Sequence, residues 1–114
     1  MVIKRRDIWW AELPDPVGSE PGYKRPLLIV QANEFNKSNI NTIIAVVITS
    51  NLRLAAAPGN ILLSSKNSKL PKESVINISQ VITIDKALLT EKVHHLPNNI
   101  MDQVDEGLKL VLKL

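Results

Sequence analysis

The sequence predicts a mainly β domain, a small barrel or strongly bent sheet that is closed by a C-terminal helix. Two observations support this fold class. Short apolar runs rich in β-branched residues are separated by turn-forming residues, which is typical of small barrels. The final segment repeats its apolar residues at helical spacing. A chain of 114 residues buries one core, so we expect a single domain over residues 1–114.

The first predicted strand covers residues 7–13, DIWWAEL. In an extended chain, neighbouring side chains point to opposite faces, so Trp9 and Trp10 cannot share one face. We therefore expect one tryptophan to lie at least partly outside the core. Two interpretations remain open: it contacts a partner or RNA, or it covers the edge of the barrel.

A long loop is predicted over residues 14–26, which include four prolines and two glycines. Pro26 restricts the preceding residue, Arg25, to extended backbone conformations. The guanidinium should therefore stand at the mouth of the next predicted strand, residues 27–31. This arrangement predicts a semi-rigid cation.

The clearest strand is predicted over residues 41–50, NTIIAVVITS, an almost continuous β-branched run that we expect to be buried on both faces. Further short strands are predicted at residues 60–63, 74–78 and 81–84. The pattern of residues 86–96 is mixed and leans towards a helix. After Pro97, Asn98 is expected to cap the final helix. The predicted apolar face of this helix consists of Ile100, Met101, Val104, Leu108, Val111 and Leu112.

Composition excludes several classes of protein. The absence of cysteine excludes disulfides, thiolate nucleophiles and cysteine-ligated metals. The N-terminus has neither the apolar segment nor the cleavage site of a signal peptide, and the longest aliphatic run, residues 43–48, is far below the roughly 20 residues that span a bilayer. We therefore expect a cytoplasmic protein without a membrane segment. The net charge of +3 permits binding to a phosphate polymer without requiring it.

The polar residues favour a phosphate site over a metal site. The only histidines, His94 and His95, are adjacent and would point to opposite sides of a strand, so no metal or other cofactor is predicted. The loop supplies Lys24 and Arg25, and the central strand ends in Thr49 and Ser50. An arginine fork binds two phosphate oxygens and neutralises charge that grows in a transition state.

RNA carries its own nucleophile, the 2′-hydroxyl, so a nuclease of this kind needs only electrostatics and proton handling. The carboxylate of Glu20, in the same loop, is the candidate for proton handling. Taken alone, these residues indicate a possible phosphate site and no particular reaction.

The motifs resemble those of the MazF/PemK family of toxin endoribonucleases. Residues 18–31, GSEPGYKRPLLIVQ, match the family's GSE loop followed by an arginine–proline pair and an apolar strand. Supporting blocks in the same order are KRRDIWWAEL, AVVITS, SVINISQVITIDKALL and HHLPNNIMDQVDEGLKLVL. The resemblance implies a small SH3-like barrel of the CcdB/MazF type, with about six or seven short strands and a C-terminal helix. It also implies a short helical turn at residues 86–88 and then a strand near residues 91–95.

The resemblance further implies a sequence-specific, metal-independent endoribonuclease toxin. Members cut single-stranded RNA, often mRNA, and leave 2′,3′-cyclic phosphate and 5′-hydroxyl ends. The matching positions make Arg25 and Thr49 the expected catalytic residues and Glu20 a possible third. The residues expected to bind RNA are Ser19, Lys24, Ser50 and Gln80. The implied partners are a MazE-like antitoxin and a second copy of the chain in a homodimer.

Two alternative functions remain at this point. A sister group with the same fold, the CcdB-like toxins, poisons DNA gyrase by binding and does not use the arginine–threonine pair. A non-catalytic RNA-binding barrel is the other. The sequence also departs from the family pattern at Pro21, at Tyr23 with Lys24, and at Ser79, so we expect a stiffer and more basic loop.

Overall fold

The computed structural model describes residues 1–15, 18 and 23–114, which form a curled antiparallel sheet and a C-terminal helix. The sheet has six strands in the order β4-β5-β3-β2-β1-β6, within the predicted number. None of the helices formed by the described residues has the length and hydrophobicity that crossing a bilayer requires. The strands are β1 (Asp7–Leu13), β2 (Tyr23–Ile29), β3 (Thr42–Thr49), β4 (Ile61–Leu63), β5 (Ser74–Asp85) and β6 (Leu89–His95). The helices are α1 (Asn33–Asn36), α2 (Ser65–Ser68) and α3 (Asn98–Leu112), with 3₁₀ turns at Leu52–Ala56 and Lys86–Leu88.

The sheet buries apolar side chains on both of its faces. The partners Ile8, Leu28 and Val46 lie opposite one another on β1, β2 and β3 and belong to one core cluster. Their chain neighbours Trp9 and Leu27 belong to a second cluster. This is the two-residue alternation expected of a strand, and it explains why β3 reads as an almost continuous apolar run.

Two predicted strands prove to be one long strand, β5, with a local irregularity. Along β3, Val46 pairs with Val81, but the next residue, Val47, pairs with Asn77. The three residues between those partners, 78–80, therefore have no partner on β3 in this register. Extra residues of this kind bend a strand and increase its twist, and here they place the polar segment of β5 beside the end of β3.

β2 begins earlier than predicted, at Tyr23, so Arg25 and Pro26 lie inside a strand and not in the loop before it. Pro26 is opposite Trp10 of β1, whereas the pairing of β2 with β3 begins only at Leu27. Proline is tolerated in strands where one edge makes no ladder hydrogen bonds. Pairing with β1 therefore extends the strand through the proline.

The prediction that residues 86–96 form a helix is wrong. This segment forms the 3₁₀ turn and then β6, as the family resemblance implied, although the strand begins at Leu89. β6 pairs with β1 along its length, from Ala11 with Leu89 to Asp7 with His95. The hydrogen bonds to β1 outweigh the weak helical preference of the apolar residues at its start.

α3 has the predicted position but not the predicted cap. Pro97 occupies the N-cap, no side chain caps the helix, and Asn98 is its first residue. The buried face contains Ile100, Met101 and Val104. Leu108 is half-buried, but Val111 and Leu112, the last two residues of the predicted apolar face, are exposed. The neighbouring apolar residues Leu110 and Leu114 are exposed as well.

Candidate RNA-cleavage site

Arg25 and Thr49 lie at the same end of neighbouring strands. In the pairing of β2 with β3, Leu27 is opposite Val47. Two residues further along each antiparallel strand, the same register brings Arg25 opposite Thr49 on the same face of the sheet. Both side chains are half-buried, so the sheet places a cation and a hydroxyl next to each other where a ligand reaches them.

These two residues line a pocket of about 140 Å³, which we call the arginine–threonine pocket. Its lining residues are Arg25, Val47, Thr49, Leu54, Asn77 and Gln80. Gln80 was expected from the sequence as an RNA-binding residue, and the structure brings it to the same pocket as the two expected catalytic residues. An arginine, a hydroxyl and two amides are all groups that bind phosphate or base-edge oxygens.

The Thr49 hydroxyl is held by the turn that follows β3. Its Oγ1 accepts a hydrogen bond from the backbone N–H of Asn51 at 3.2 Å, and the Asn51 side chain in turn accepts one from the N–H of Arg53. Because Oγ1 of Thr49 is the acceptor in its bond with Asn51, this bond does not use the hydroxyl proton of Thr49. Thr49 is therefore oriented by the backbone and keeps a proton to donate to a ligand oxygen.

Asn77 was missed in the sequence, and it organises one wall of the arginine–threonine pocket. Its amide donates to Gln80 Oε1 at 3.0 Å and its Oδ1 accepts from Asn60 Nδ2 at 3.1 Å. Asn60 also donates to the carbonyl of Leu54 and accepts from the N–H of Ile78. The network thus ties Gln80 to the turn that carries Leu54. A polar residue inside the apolar stretch SVINIS was the available signal.

We expect Asn77→Ala to lower the free energy of unfolding by about 1–3 kcal/mol, because it removes the hydrogen bonds of this buried amide to Asn60 and to Gln80. Asn77 is itself only 8% exposed. Urea denaturation of the variant against the parent protein measures this loss. Asn39→Ala is the matched control, since Asn39 is exposed and should change stability by no more than about 0.5 kcal/mol. Equal stability of the two variants would contradict the structural role of the network.

Lys24 and Ser50 do not lie in the arginine–threonine pocket. They line a neighbouring pocket of about 230 Å³, which we call the tryptophan–lysine pocket. Arg25 lines both pockets and therefore joins them. The lining residues of this second pocket are Trp10, Lys24, Arg25, Pro26, Ile48, Ser50, Leu70, Pro71, Lys72 and Ser74.

Two of the expected residues, Ser19 and Glu20, fall outside the described residues, as do most of the loop positions between β1 and β2. Their expected roles in RNA binding and proton handling stay predictions. The described ends of this loop, Leu13 on β1 and Tyr23 on β2, are opposite each other in the sheet. Both ends of the loop are thus fixed, and Arg25 follows only two residues after the second end.

The histidines stand apart from the arginine–threonine pocket. His94 and His95 are both half-buried, and His95 Nδ1 lies 2.7 Å from Oδ1 of Asp7, a fully buried carboxylate at the start of β1. Within the described ranges, no group of three histidine, aspartate or glutamate side chains is placed to hold a metal ion. The contact between His95 and Asp7 connects the strands β1 and β6.

Comparison with known proteins places this chain in a family. The family model of PemK-like, MazF-like toxins of type II toxin–antitoxin systems matches residues 4–112. Endoribonuclease MazF6 of Mycobacterium tuberculosis (strain ATCC 25618 / H37Rv) is 46% identical over 114 residues, which cover 100% of both chains.

Two solved structures confirm the predicted fold class, a mainly β domain with a C-terminal helix. MazF from Deinococcus radiodurans gives a TM-score of 0.82 at 19% identity, with 100% of this chain and 99% of that chain covered. A mycobacterial endoribonuclease in complex with its cognate antitoxin gives 0.80 at 20% identity, with coverage of 98% and 96%. Since the family model spans nearly the whole chain, the protein belongs to the PemK-like, MazF-like toxins of type II toxin–antitoxin systems.

Proposed function

We propose that the protein is a sequence-specific endoribonuclease toxin that cleaves single-stranded RNA, mRNA in particular. The observation that carries this proposal is the arginine–threonine pocket, where Arg25 and Thr49 stand side by side at one end of the sheet. The 46% identity to a full-length protein named as an endoribonuclease supports it. The CcdB-like alternative has no use for this pair, so the pair favours RNA cleavage over gyrase poisoning.

The proposed reaction begins with attack of the 2′-hydroxyl on the adjacent phosphorus. The P–O5′ bond breaks, and the products carry a 2′,3′-cyclic phosphate and a 5′-hydroxyl. Arg25 stabilises the extra negative charge of the phosphorane, because its guanidinium binds two non-bridging oxygens. Thr49 orients the phosphate by donating its hydroxyl proton to an oxygen. Glu20 is proposed as the base that accepts the proton of the 2′-hydroxyl, and the departing O5′ takes up a proton from water to become the 5′-hydroxyl.

RNA binding is assigned to residues on both sides of Arg25. Gln80 is proposed to contact RNA in the arginine–threonine pocket, while Lys24 and Ser50 contact it in the tryptophan–lysine pocket. Ser19 is proposed to contribute from the loop. Because the nucleophile belongs to the substrate, the proposed mechanism requires no metal and no other cofactor.

The proposed setting is a cytoplasmic toxin domain, residues 1–114, that a MazE-like antitoxin neutralises. The solved complex of a similar endoribonuclease with its cognate antitoxin supports the antitoxin as a partner. We further propose a homodimer, since Leu110 and Leu112 of α3 and the C-terminal Leu114 are exposed apolar residues and such patches mark interaction surfaces. A purely monomeric sedimentation profile at micromolar concentration would contradict the dimer.

The proposed function is tested with purified protein, a mixture of transcripts and excess EDTA. We expect cleavage at short recurrent sequences, and mapping of the ends should give cyclic phosphates on one side and 5′-hydroxyls on the other. Antitoxin that co-purifies with the protein should be separated from it, and its return to the reaction should suppress the cleavage. Intact RNA together with gyrase-dependent DNA breaks would instead support the CcdB-like function, and RNA retention without cutting would support a binding barrel.

A further inference from the structure

We propose that the tryptophan–lysine pocket binds one nucleobase of the RNA substrate, next to the phosphate held by Arg25. The inference rests on the proposed function and assigns a base-binding role to Trp10, one of the two tryptophans whose purpose the sequence left open. Trp9 is 7% exposed and belongs to a core cluster, whereas Trp10 is half-buried and lines the pocket.

The lining and the volume of the pocket suit a flat apolar ring. Trp10 and Pro26 are cross-strand partners on β1 and β2, so their rings lie side by side on one face. The buried side chains of Ile48 and Leu70 also line the pocket. Its volume of about 230 Å³ is below the roughly 300–1,000 Å³ of sites that enclose drug-sized ligands. It therefore suits a single ring system of a longer ligand.

Hydrogen bonds hold the lining segment between α2 and β5 in place. The buried hydroxyl of Ser68 accepts from the N–H of Leu70 at 3.0 Å, and the buried hydroxyl of Ser74 donates to the carbonyl of Lys72 at 3.0 Å. The segment between α2 and β5 is thus tied at two points on either side of Pro71. A wall that is ordered before the ligand arrives loses less conformational entropy on binding.

Charge favours a nucleotide as the occupant. The Lys24 ammonium lies 5.2 Å from the centre of the Trp10 ring, within the range of a cation–π interaction. Lys72 and Arg25 also line the pocket, and no carboxylate does among the described residues. Aromatic surface beside a row of cations is the arrangement with which proteins bind single strands, because each nucleotide offers a stacking face and a negative phosphate.

Continuity with the arginine–threonine pocket places the base relative to the cleaved bond. Arg25 lines both pockets, so a strand whose phosphate contacts Arg25 has a neighbouring base within reach of Trp10. Successive phosphates of the strand then contact Arg25, Lys24 and Lys72. An acidic peptide of the antitoxin would satisfy the lysines, but it lacks this fixed alternation of flat ring and phosphate.

The first test measures binding of an RNA that contains the mapped cleavage sequence and a 2′-deoxynucleotide at the cut position, which prevents cleavage. We expect Trp10→Leu to raise the Kd about five- to tenfold. This fold-change corresponds to the lower end of the free energy of stacking between a base and an aromatic side chain. Trp10→Phe should stay within about twofold of the parent protein because phenylalanine also stacks. The single-turnover rate at saturating RNA should change less than the Kd, as expected for a binding residue.

The second test asks whether Trp10 contacts a base. One abasic nucleotide is moved along the same RNA, and its effect is measured in the parent protein and in Trp10→Leu. We expect one position at which the abasic RNA binds the two proteins equally, because the stacking partner is already missing. Additive effects at every position would overturn the proposal.

A charge control completes the experiment. Lys24→Ala should reduce the slope of log Kd against log salt by about 0.7, the value for one phosphate of a single strand. Lys37→Ala removes the same charge from an exposed site after α1, at the far end of β2, and should leave the slope unchanged. Equal slopes in both variants would contradict the proposed contact between Lys24 and a phosphate.

Two outcomes separate this inference from the proposed function. If the parent protein cleaves RNA and Trp10→Leu binds RNA with unchanged affinity, the base site is wrong and the nuclease assignment stands. The same conclusion follows if Trp10→Leu weakens only the complex with the antitoxin. If the parent protein does not cleave any RNA, the proposed function itself fails.

Discussion

Arg25→Ala is expected to reduce the rate of RNA cleavage at saturating substrate by about 10³-fold. Loss of a preorganised group that stabilises transition-state charge costs about 10²–10³ in rate, and arginines in phosphoryl transfer contribute 10³ or more. The side chain is half-buried between two pockets, so its removal should leave the fold intact. Single-turnover cleavage of one defined oligonucleotide measures the effect, and the circular dichroism spectrum verifies the fold.

Two further substitutions separate charge from geometry at this site. Arg25→Lys keeps the charge but loses the planar fork, so we expect partial activity above that of the alanine variant. Arg53→Ala is the matched control, because Arg53 is an exposed arginine on the turn beside Thr49 and lines neither pocket. It should retain cleavage within a few-fold. Full activity in Arg25→Ala would remove this residue from the mechanism.

Thr49 is expected to contribute less than Arg25 at the same site. Thr49→Val replaces the hydroxyl with a methyl group of similar size and so removes one hydrogen bond to the phosphate. A reduction of about 10–10²-fold in the single-turnover rate corresponds to a hydrogen bond to a charged group. Loss of activity equal to that of Arg25→Ala would indicate that the two residues act as one unit.

Asp7→Ala is expected to lower the free energy of unfolding by about 3–5 kcal/mol. Asp7 is fully buried, and its carboxylate accepts from the N–H of Lys4 at 2.9 Å and from the indole N–H of Trp9 at 3.3 Å, with His95 Nδ1 2.7 Å away. The Lys92 ammonium is 3.5 Å from the same carboxylate. Removal of one partner from a buried charged network leaves the others unsatisfied, which is the most costly kind of polar substitution.

The measurement for Asp7 is urea denaturation at fixed protein concentration, since dimerisation would add a concentration dependence. Asp7→Asn should cost less, about 1–3 kcal/mol, because an amide oxygen still accepts hydrogen bonds. It provides the readout if the alanine variant does not fold. Asp102→Ala, at an exposed site of α3, is the control and should change stability by less than about 0.5 kcal/mol. A loss below about 1 kcal/mol in Asp7→Ala would contradict the role of this network.

The parts of the fold that the sequence predicted well are those with strong local patterns. β1 and β3 follow from strand-type runs bounded by polar or turn-forming residues, and α3 follows from the spacing of Ile100, Met101 and Val104. The prediction that Arg25 and Thr49 are catalytic came from motifs and not from their chemistry alone. Each of these conclusions depends on residues that are close together in the chain.

The conclusions that needed the tertiary structure depend on residues that are far apart in the chain. Residues 89–95 become a strand because β1 supplies the missing hydrogen bonds, and β2 extends through Pro26 for the same reason. The alternation of β1 required one tryptophan to leave the core, but only packing decided that it is Trp10.

By itself, the sequence determined the fold class and the residue types of the site. The tertiary structure decided which of those residues meet. It placed Arg25 beside Thr49, brought Gln80 to them through Asn77, and put Lys24 into a second pocket with Trp10. The physical reason is that side-chain periodicity is a local property, whereas strand register depends on pairing and packing across the whole sheet.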